Sequence, residues 1–185
     1  MWYSDRFRRH LCDMHIDDWS DEFLAEFSPE EYVNNLLTAG INYAMIYFQS
    51  HVGLCYWPTK VGTMHKSLEK DPEKIKRLVD LCHQNDIKVM GYYSLIYNTR
   101  EHDKHPEWRH LTEGGKSNRE SRREDAMMDP ASFAGWSRYG HCCPNNQDYR
   151  DFVNTQIDEM IASNGKLTQT IEIESDGLQT PFELL

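Results

Sequence analysis

Strand-like and helix-like segments alternate through the first hundred residues of this 185-residue chain. Short apolar runs predict strands over residues 9–16, 41–48 and 87–97. The second run is apolar almost throughout, as expected for a strand that is buried on both faces of a parallel sheet. Because this alternation is typical of parallel strands joined by right-handed crossovers, we expect the three strands to be neighbours in that order.

The segments between the strands carry helix signals. Ser28, Pro29 and Glu31 form a capping box with proline at the first helical position. Phe27 and Tyr32 have the spacing of a hydrophobic staple across the start of the same helix. Two further helices are predicted from apolar stripes, formed by Ile75, Leu78, Val79 and Cys82 and by Tyr149, Val153, Ile157 and Met160.

Two α/β architectures begin with this order of elements: an open doubly wound sheet and a (β/α)8 barrel. No Gly-x-Gly-x-x-Gly follows any predicted strand, which weakens the case for a dinucleotide-binding sheet. The chain has room for about three to four βα units, because a complete barrel needs ~250 residues. Residues 98–145 are interpreted as a long irregular connection, with residues 116–125 expected to be its most mobile part.

The composition narrows the range of partners. A net charge of −10 argues against nucleic acid or an anionic membrane, because either would repel the surface. No apolar run approaches the ~20 residues of a membrane span, and the first residues lack the apolar stretch of a signal peptide, so a cytoplasmic location is expected. Five cysteines without Cys-x-x-Cys spacing are more typical of a reduced intracellular chain than of a disulfide framework.

Hydrogen-bonding side chains stand beside aromatic ones at the end of each predicted strand. His15 lies at the end of the first strand, His51 follows the second, and Tyr93 lies near the end of the third. Sites in α/β folds gather at the carboxyl ends of strands, and sugars need both directional polar groups and flat apolar surfaces. We therefore predict that His15, His51 and Tyr93 converge on one concave surface with Trp57 nearby.

Other interpretations of these residues stay open. A structural role is the alternative for His15, and core packing is the alternative for Trp19 and Trp57. A metal-dependent hydrolase is a second class of enzyme, with ligands drawn from Asp13, His15, Asp17 and Asp18. We expect no metal and no cofactor, because the three histidines between residues 102 and 110 match no defined ligand spacing.

Two stretches of the chain resemble family 29-type α-L-fucosidases. Residues 51–60 resemble their His-His-Asp-Gly-Phe-x-Leu-Trp-Pro-Ser stretch, and residues 91–95 are similar to their Gly-x-Tyr-Tyr-Ser strand. Residues 8–161 look closer still to a neighbouring group of bacterial glycosyl hydrolases with a fucosidase-like catalytic barrel. The phrases shared with that group are Pro-Thr-Lys-Val-Gly at residues 58–62 and His-Pro-Glu-Trp at residues 105–108.

The resemblance implies an α/β fold of the (β/α)8 TIM-barrel type, with the N-terminal portion of the barrel in residues 1–162 and a divergent, truncated or altered tail in residues 163–185. It implies a carbohydrate substrate and retaining, α-L-fucosidase-like hydrolysis of a terminal sugar. It also allows the full-length enzyme to be a homo-oligomer. His15, His51 and Tyr93 would bind the sugar, and Trp57 would form an apolar wall. Ser50 stands where family 29 has the first histidine, so the identity of the sugar stays open.

No residue matches the nucleophile of the family, which ends a fourth strand in the pattern Asp-Gly-Ile-x-Phe-Asp. Asp176 and Gly177 align with its first two letters, but Pro181 then takes the nucleophile position, which leaves Asp176 a weak catalytic candidate. Residues 171–174 alternate apolar and polar, so we expect no buried fourth strand and an open edge on the third. We expect no glycosidase activity from the chain alone, and a non-catalytic sugar-binding remnant is the alternative function.

Overall fold

The computed structural model of the chain describes residues 6–20, 22–120, 139–163 and 171–174. Within them lie a four-stranded parallel sheet and a smaller two-stranded one. In chain order the strands are β1 (Arg9–Leu11), β2 (Tyr43–Tyr47), β3 (Leu54–Cys55), β4 (Thr63–Met64), β5 (Lys88–Ser94) and β6 (Ile171–Glu174). The helices are α1 (Pro29–Thr38), α2 (Lys74–Gln84), α3 (Thr99–Lys104) and α4 (Gln147–Ser163), with single 3-10 turns at Lys66–Leu68 and Pro106–Trp108.

The order of strands in the main sheet is β1-β2-β5-β6. β1, β2 and β5 are adjacent and parallel, which confirms the predicted order of the three strands. The register places Tyr47 opposite Tyr92, so β2 and β5 finish close together at one edge of the sheet. We call the edge where these parallel strands end the carboxyl edge.

β1 is shorter than the sequence predicts, because strand pairing stops at Leu11 and residues 12–16 continue without it. A side-chain contact, rather than backbone strand pairing, holds residues 12–16. The Tyr56 hydroxyl donates a hydrogen bond of 2.6 Å to the carbonyl oxygen of Met14, and Met14 is itself buried. Of the apolar residues that alternate in this segment, Met14 is buried, Ile16 is half-buried and Cys12 is exposed.

The expectation of an open edge on the third strand is wrong. β6 pairs in parallel with β5, with Ile171 opposite Gly91 and Glu174 opposite Ser94. Strand pairing uses backbone N–H and C=O groups, so an alternation of apolar and polar residues does not prevent it. β5 is thus an inner strand, with β2 on one side and β6 on the other.

The predicted helix start at Ser28 and the two apolar stripes are confirmed. The Ser28 hydroxyl accepts a hydrogen bond of 3.2 Å from the backbone N–H of Glu31 at the start of α1, and the rings of Phe27 and Tyr32 pack edge to face. The stripes predicted for α2 and α4 are buried in the core, namely Ile75, Leu78, Val79 and Cys82, then Tyr149, Val153, Ile157 and Met160. Among the described residues, none of the helices combines the length and the apolar character that crossing a membrane requires.

The connection after β5 begins with a helix, although the sequence was interpreted as irregular there. Its first residues form α3, where the side-chain oxygen of Asn98 accepts a hydrogen bond of 3.1 Å from the backbone N–H of Glu101. Asn98 with Glu101 three residues later is a helix-start signal, but six residues are too few to show an apolar period. The greatest mobility at residues 116–125 stays a prediction, and residues 121–125 lie outside the described part of the chain.

All five cysteines carry free thiols. Cys55, Cys82 and Cys142 are buried, Cys143 is half-buried and Cys12 is exposed. Burial raises the pKa of the Cys82 and Cys142 thiols to about 12, so both stay protonated at neutral pH. These two residues therefore act as small apolar side chains of the core.

Candidate functional site

Two histidines meet at the carboxyl edge of the main sheet. The imidazole rings of His15 and His51 stack with their centroids 3.7 Å apart and their planes at 20°. The backbone N–H of His51 donates a hydrogen bond of 3.1 Å to Nδ1 of His15, so a neutral His15 carries its proton on Nε2. The loops after β1 and β2 are thereby joined, and the predicted convergence of these two residues is confirmed.

Two tyrosines from the inner strands orient the histidine rings. Tyr47 on β2 and Tyr92 on β5 stack with their centroids 4.0 Å apart. The Tyr92 hydroxyl lies 2.8 Å from Nε2 of His51, and the Tyr47 hydroxyl lies 3.4 Å from Nε2 of His15. Each imidazole therefore has a phenol hydroxyl beside its Nε2 atom.

Aromatic rings from the connection after β5 complete the arrangement. The ring centroid of Tyr97 lies 4.4 Å from that of His51, and the centroid of Tyr139 lies 5.1 Å from it. Tyr139 also lies 5.6 Å from His15. We call this set the histidine–tyrosine cluster: His15, His51, Tyr47, Tyr92, Tyr97 and Tyr139. The four tyrosines were missed in the sequence interpretation, and the signal for Tyr47 and Tyr92 was their place at the ends of adjacent strands.

Tyr93 lies on the opposite face of β5, so its predicted convergence with the two histidines is wrong. Successive residues of a strand point to opposite faces, and Tyr92 takes the histidine side. Tyr93 is fully buried, and its hydroxyl donates a hydrogen bond of 2.5 Å to Oε1 of Gln156 on α4. Burial raises the pKa of Tyr93 well above its ordinary value, so the phenol stays neutral.

Trp57 lies in the core and not on the wall of a surface site. It ends a run of four fully buried residues, Leu54 to Trp57, and belongs to the main apolar cluster. The first two residues of the run form β3, which carries the segment through the interior. An indole without exposed surface offers no face to a ligand, so this position contradicts the predicted apolar wall at Trp57.

The acidic residues after β1 are engaged separately. Asp18 is buried, and its carboxylate pairs with Arg100 at 2.6 Å. Asp13 accepts a hydrogen bond from the backbone N–H of His15, and Asp17 accepts one from that of Asp18. Across the described ranges, no three His, Cys, Asp or Glu side chains are grouped so that they could hold a metal ion. These contacts give no support to the alternative ligand set of Asp13, His15, Asp17 and Asp18, since Asp18 is held by Arg100 instead.

The buried His65 also holds the loop after β1. Nε2 of His65 lies 3.0 Å from the carbonyl oxygen of Asp17, and its Nδ1 accepts a hydrogen bond of 3.2 Å from the backbone N–H of Ser67. This pattern requires the neutral imidazole with its proton on Nε2. Burial lowers the pKa of His65, which favours that neutral form.

The weak catalytic candidate Asp176 lies outside the described residues. The last residue of β6, Glu174, precedes it by two positions and is opposite Ser94 at the carboxyl edge. The catalytic role of Asp176 stays a prediction.

Several solved structures match this chain. α-L-Fucosidase isoenzyme 2 from Paenibacillus thiaminolyticus matches with a TM-score of 0.68 and 23% identity, over 84% of this chain and 21% of that one. The α-fucosidase of Thermotoga maritima in complex with fucose matches with a TM-score of 0.48 and 22% identity, over 78% of this chain and 28% of that one. A hypothetical protein from Ruminiclostridium thermocellum matches with a TM-score of 0.49 and 13% identity, over 82% and 69% of the two chains.

The Paenibacillus match shows a mixed α/β fold similar to that of a fucosidase, and the chain spans about a fifth of the length of that enzyme. Among curated proteins no significant match is found. The model of one family, described as "Hypothetical glycosyl hydrolase 6", matches residues 28–173, which is well over half of the chain. The chain therefore belongs to this family of glycosyl hydrolases and is fucosidase-like in its fold.

Proposed function

We propose that the chain forms the sugar-recognising part of a glycosidase catalytic domain of the (β/α)8-barrel type, which performs retaining, α-L-fucosidase-like hydrolysis of a terminal sugar. The observation that carries the proposal is the histidine–tyrosine cluster at the carboxyl edge. Membership of a glycosyl hydrolase family supports the reaction class. The name of the Paenibacillus enzyme favours α-L-fucose as the first sugar to test.

The cluster has the chemistry that a sugar ring requires. The imidazole nitrogens of His15 and His51 supply hydrogen-bond donors and acceptors, which match the hydroxyl groups of a sugar, while the buried Tyr47 and Tyr92 position the two rings. The ring of Tyr139 adds flat apolar surface for the C–H groups of the sugar. The side chain of His15 is 14% exposed, so a ligand at the carboxyl edge can reach it.

Hydrolysis needs groups beyond this cluster. A retaining mechanism uses two carboxyl groups ~5 Å apart, one as nucleophile and one as acid/base. Asp176 stays a weak candidate for the nucleophile, and it follows the fourth parallel strand by two residues in the sequence. No residue matches the acid/base, so we expect this chain alone to bind sugar without cleaving it. Binding contacts act similarly on substrate and transition state and do not replace the missing carboxylate.

Binding of methyl α-L-fucoside by a His51→Ala variant tests the proposal. The variant loses the stacked ring and the partner of the Tyr92 hydroxyl, so we expect binding about tenfold weaker or more. His83→Ala is the control, because His83 lies in the last turn of α2, near the start of β5 and the opposite edge of the sheet. No binding by the parent, or an equal loss in both variants, would overturn the proposal.

An activity assay accompanies the binding measurement. The parent and an Asp176→Ala variant are assayed on an aryl α-L-fucoside and an aryl β-galactoside. Turnover by the parent that is lost in the variant would assign the nucleophile and contradict the expected inactivity. Binding without turnover is the expected result. A cytoplasmic location and a homo-oligomer of the full-length enzyme stay predictions.

A further inference from the structure

We propose that Trp19 and the cleft beside it bind a second sugar residue, on the leaving-group side of the terminal sugar. The ligand of the domain is then an oligosaccharide rather than a single sugar. This inference rests on the proposed function and extends the histidine–tyrosine cluster by one subsite. Trp19 follows His15 by four residues, in the loop after β1 at the carboxyl edge.

Trp19 is unusually exposed for a tryptophan. It leaves 75% of its surface open, although this residue type normally buries most of its large apolar surface. Its one aromatic neighbour among the described residues is Phe23, which packs edge to face at a centroid distance of 4.7 Å. That contact orients the indole and leaves most of it free for a ligand. A flat indole face packs well on the C–H surface of a sugar ring.

The support of Trp19 is rigid even though the indole is exposed. The preceding residue, Asp18, is buried and pairs with Arg100 at 2.6 Å. The carbonyl oxygen of Asp17 accepts a hydrogen bond from Nε2 of His65. Since the backbone before Trp19 is already held by these contacts, a ligand that packs on the ring does not have to order that part of the loop.

A cleft of about 460 Å³ lies close to the support of Trp19. Asp17 lines it on one side, two residues before Trp19, and Thr99 lines it on another. The backbone N–H of Thr99 donates a hydrogen bond of 3.1 Å to the carbonyl oxygen of His51, which places this wall beside the cluster. The volume falls within the ~300–1,000 Å³ usual for ligand sites.

The lining of the cleft favours a neutral, hydroxyl-rich ligand. Asp17 and Asp103 supply acceptors, Arg100 and Lys104 supply donors, and Thr63 supplies a hydroxyl group. Charges of both signs give no preference for an anion or a cation. A stable protein interface buries ~800 Å² of surface on each partner, and one indole beside charged side chains supplies only a small part of that area.

Variants at Trp19 test the inference, with methyl α-L-fucoside and the disaccharide α-L-fucosyl-(1→6)-N-acetylglucosamine as probes. We expect Trp19→Ala to weaken disaccharide binding about fivefold to tenfold and to leave monosaccharide binding unchanged. Trp19→Phe keeps a flat ring and should retain part of the affinity. Phe7→Ala is the matched control, because Phe7 is 78% exposed and lies before β1, at the opposite edge of the sheet.

A fluorine NMR spectrum of the chain labelled with 5-fluorotryptophan gives a second readout. The Trp19 signal, assigned from its loss in Trp19→Phe, should shift with the disaccharide and not with the monosaccharide. Disaccharide binding that is no tighter than monosaccharide binding, or that Trp19→Ala leaves unchanged, would overturn the inference and leave the proposed function standing. An equal loss in Phe7→Ala, or a change of oligomeric state without a change in sugar binding, would also overturn it. Failure of both probes to bind would overturn the proposed function and the inference together.

Discussion

The backbone N–H of His51 donates a hydrogen bond to Nδ1 of His15, and the two imidazole rings stack 3.7 Å apart. His15 thus holds the loop after β2 as well as facing the site. Replacing His15 leaves a backbone N–H without its acceptor and disturbs the loop. Replacing His51 removes only its ring and leaves the backbone bond in place, which makes His51 the cleaner position for a binding test.

Tyr92 and Tyr93 give a first prediction, because their side chains lie on opposite faces of β5. Tyr92→Phe removes the hydroxyl beside Nε2 of His51 and should weaken binding of methyl α-L-fucoside by about twofold to tenfold. Tyr93→Phe removes the buried bond to Gln156 and should lower the free energy of unfolding by about 1–3 kcal/mol without changing sugar affinity. Denaturant unfolding and sugar titration of both variants check this.

The prediction is contradicted if Tyr93→Phe lowers sugar affinity and Tyr92→Phe does not. That result would place the sugar on the α4 side of β5. The crossed design needs no further control, since each variant is the reference for the other.

The sequence predicted that His15 and His51 would meet at the carboxyl edge, but the structure does not bring Tyr93 or Trp57 to the same surface. His15 and His51 follow neighbouring parallel strands, and topology alone brings such residues together. Tyr93 was chosen in place of Tyr92 because it matches the second tyrosine of the Gly-x-Tyr-Tyr-Ser strand, and two adjacent tyrosines do not reveal which one faces the histidines. Trp57 was misplaced for a similar reason, since burial of the 54–57 run depends on packing between distant segments.

Gly62 gives a second prediction, on the packing of α4 against the segment that follows β3. A Cβ atom at Gly62 would lie 2.1 Å from Nε2 of Gln156 and 3.1 Å from Sγ of Cys55. Gln156 is buried and bonded to Tyr93, so it has little freedom to move. Gly62→Ala should therefore lower the free energy of unfolding by about 1–3 kcal/mol.

Gly114→Ala is the control for this substitution. Its added Cβ would find its nearest neighbour, the hydroxyl of Thr112, at 3.8 Å, so the expected change is within about 0.5 kcal/mol. Equal stability of the two variants in denaturant unfolding would show that the contact between Gly62 and Gln156 is not close.

The pH dependence of stability gives a third prediction. Burial lowers the pKa of His65 in the folded state, so the unfolded chain binds a proton more readily. The free energy of unfolding should fall as the pH drops below about 6.5, the ordinary pKa of histidine. His83 and His102 have pKa values lowered by burial as well, and they act in the same direction.

His65→Gln isolates the contribution of His65. Glutamine can donate to the carbonyl of Asp17 but does not titrate, so the variant should lose less stability than the parent between about pH 7 and pH 5. Identical slopes in the two proteins, measured by denaturant unfolding at each pH, would rule out His65 as a contributor.

The fold was predictable wherever a strong local signal agreed with the topology. The helix start at Ser28, the apolar stripes of the helices and the apolar runs of the strands predicted β1, β2, β5 and their order, because each signal involves residues close in sequence. β6 was missed because its residues alternate apolar and polar, which is unusual for a strand buried on both faces of a sheet. Its pairing with β5 uses backbone groups and does not depend on that pattern. Helix α3 was missed because its cap, Asn98, was not recognised as a start signal.

NMR titration of the histidine side chains tests the central claim most directly. A sample labelled with nitrogen-15 is titrated with methyl α-L-fucoside, and the ring nitrogen signals are assigned from single substitutions. The account predicts that the signals of His15 and His51 shift together, saturate at one midpoint and leave the signals of His83 unchanged. If the sugar binds and these two histidines do not respond, or if His83 responds equally, the histidine–tyrosine cluster is not the sugar site.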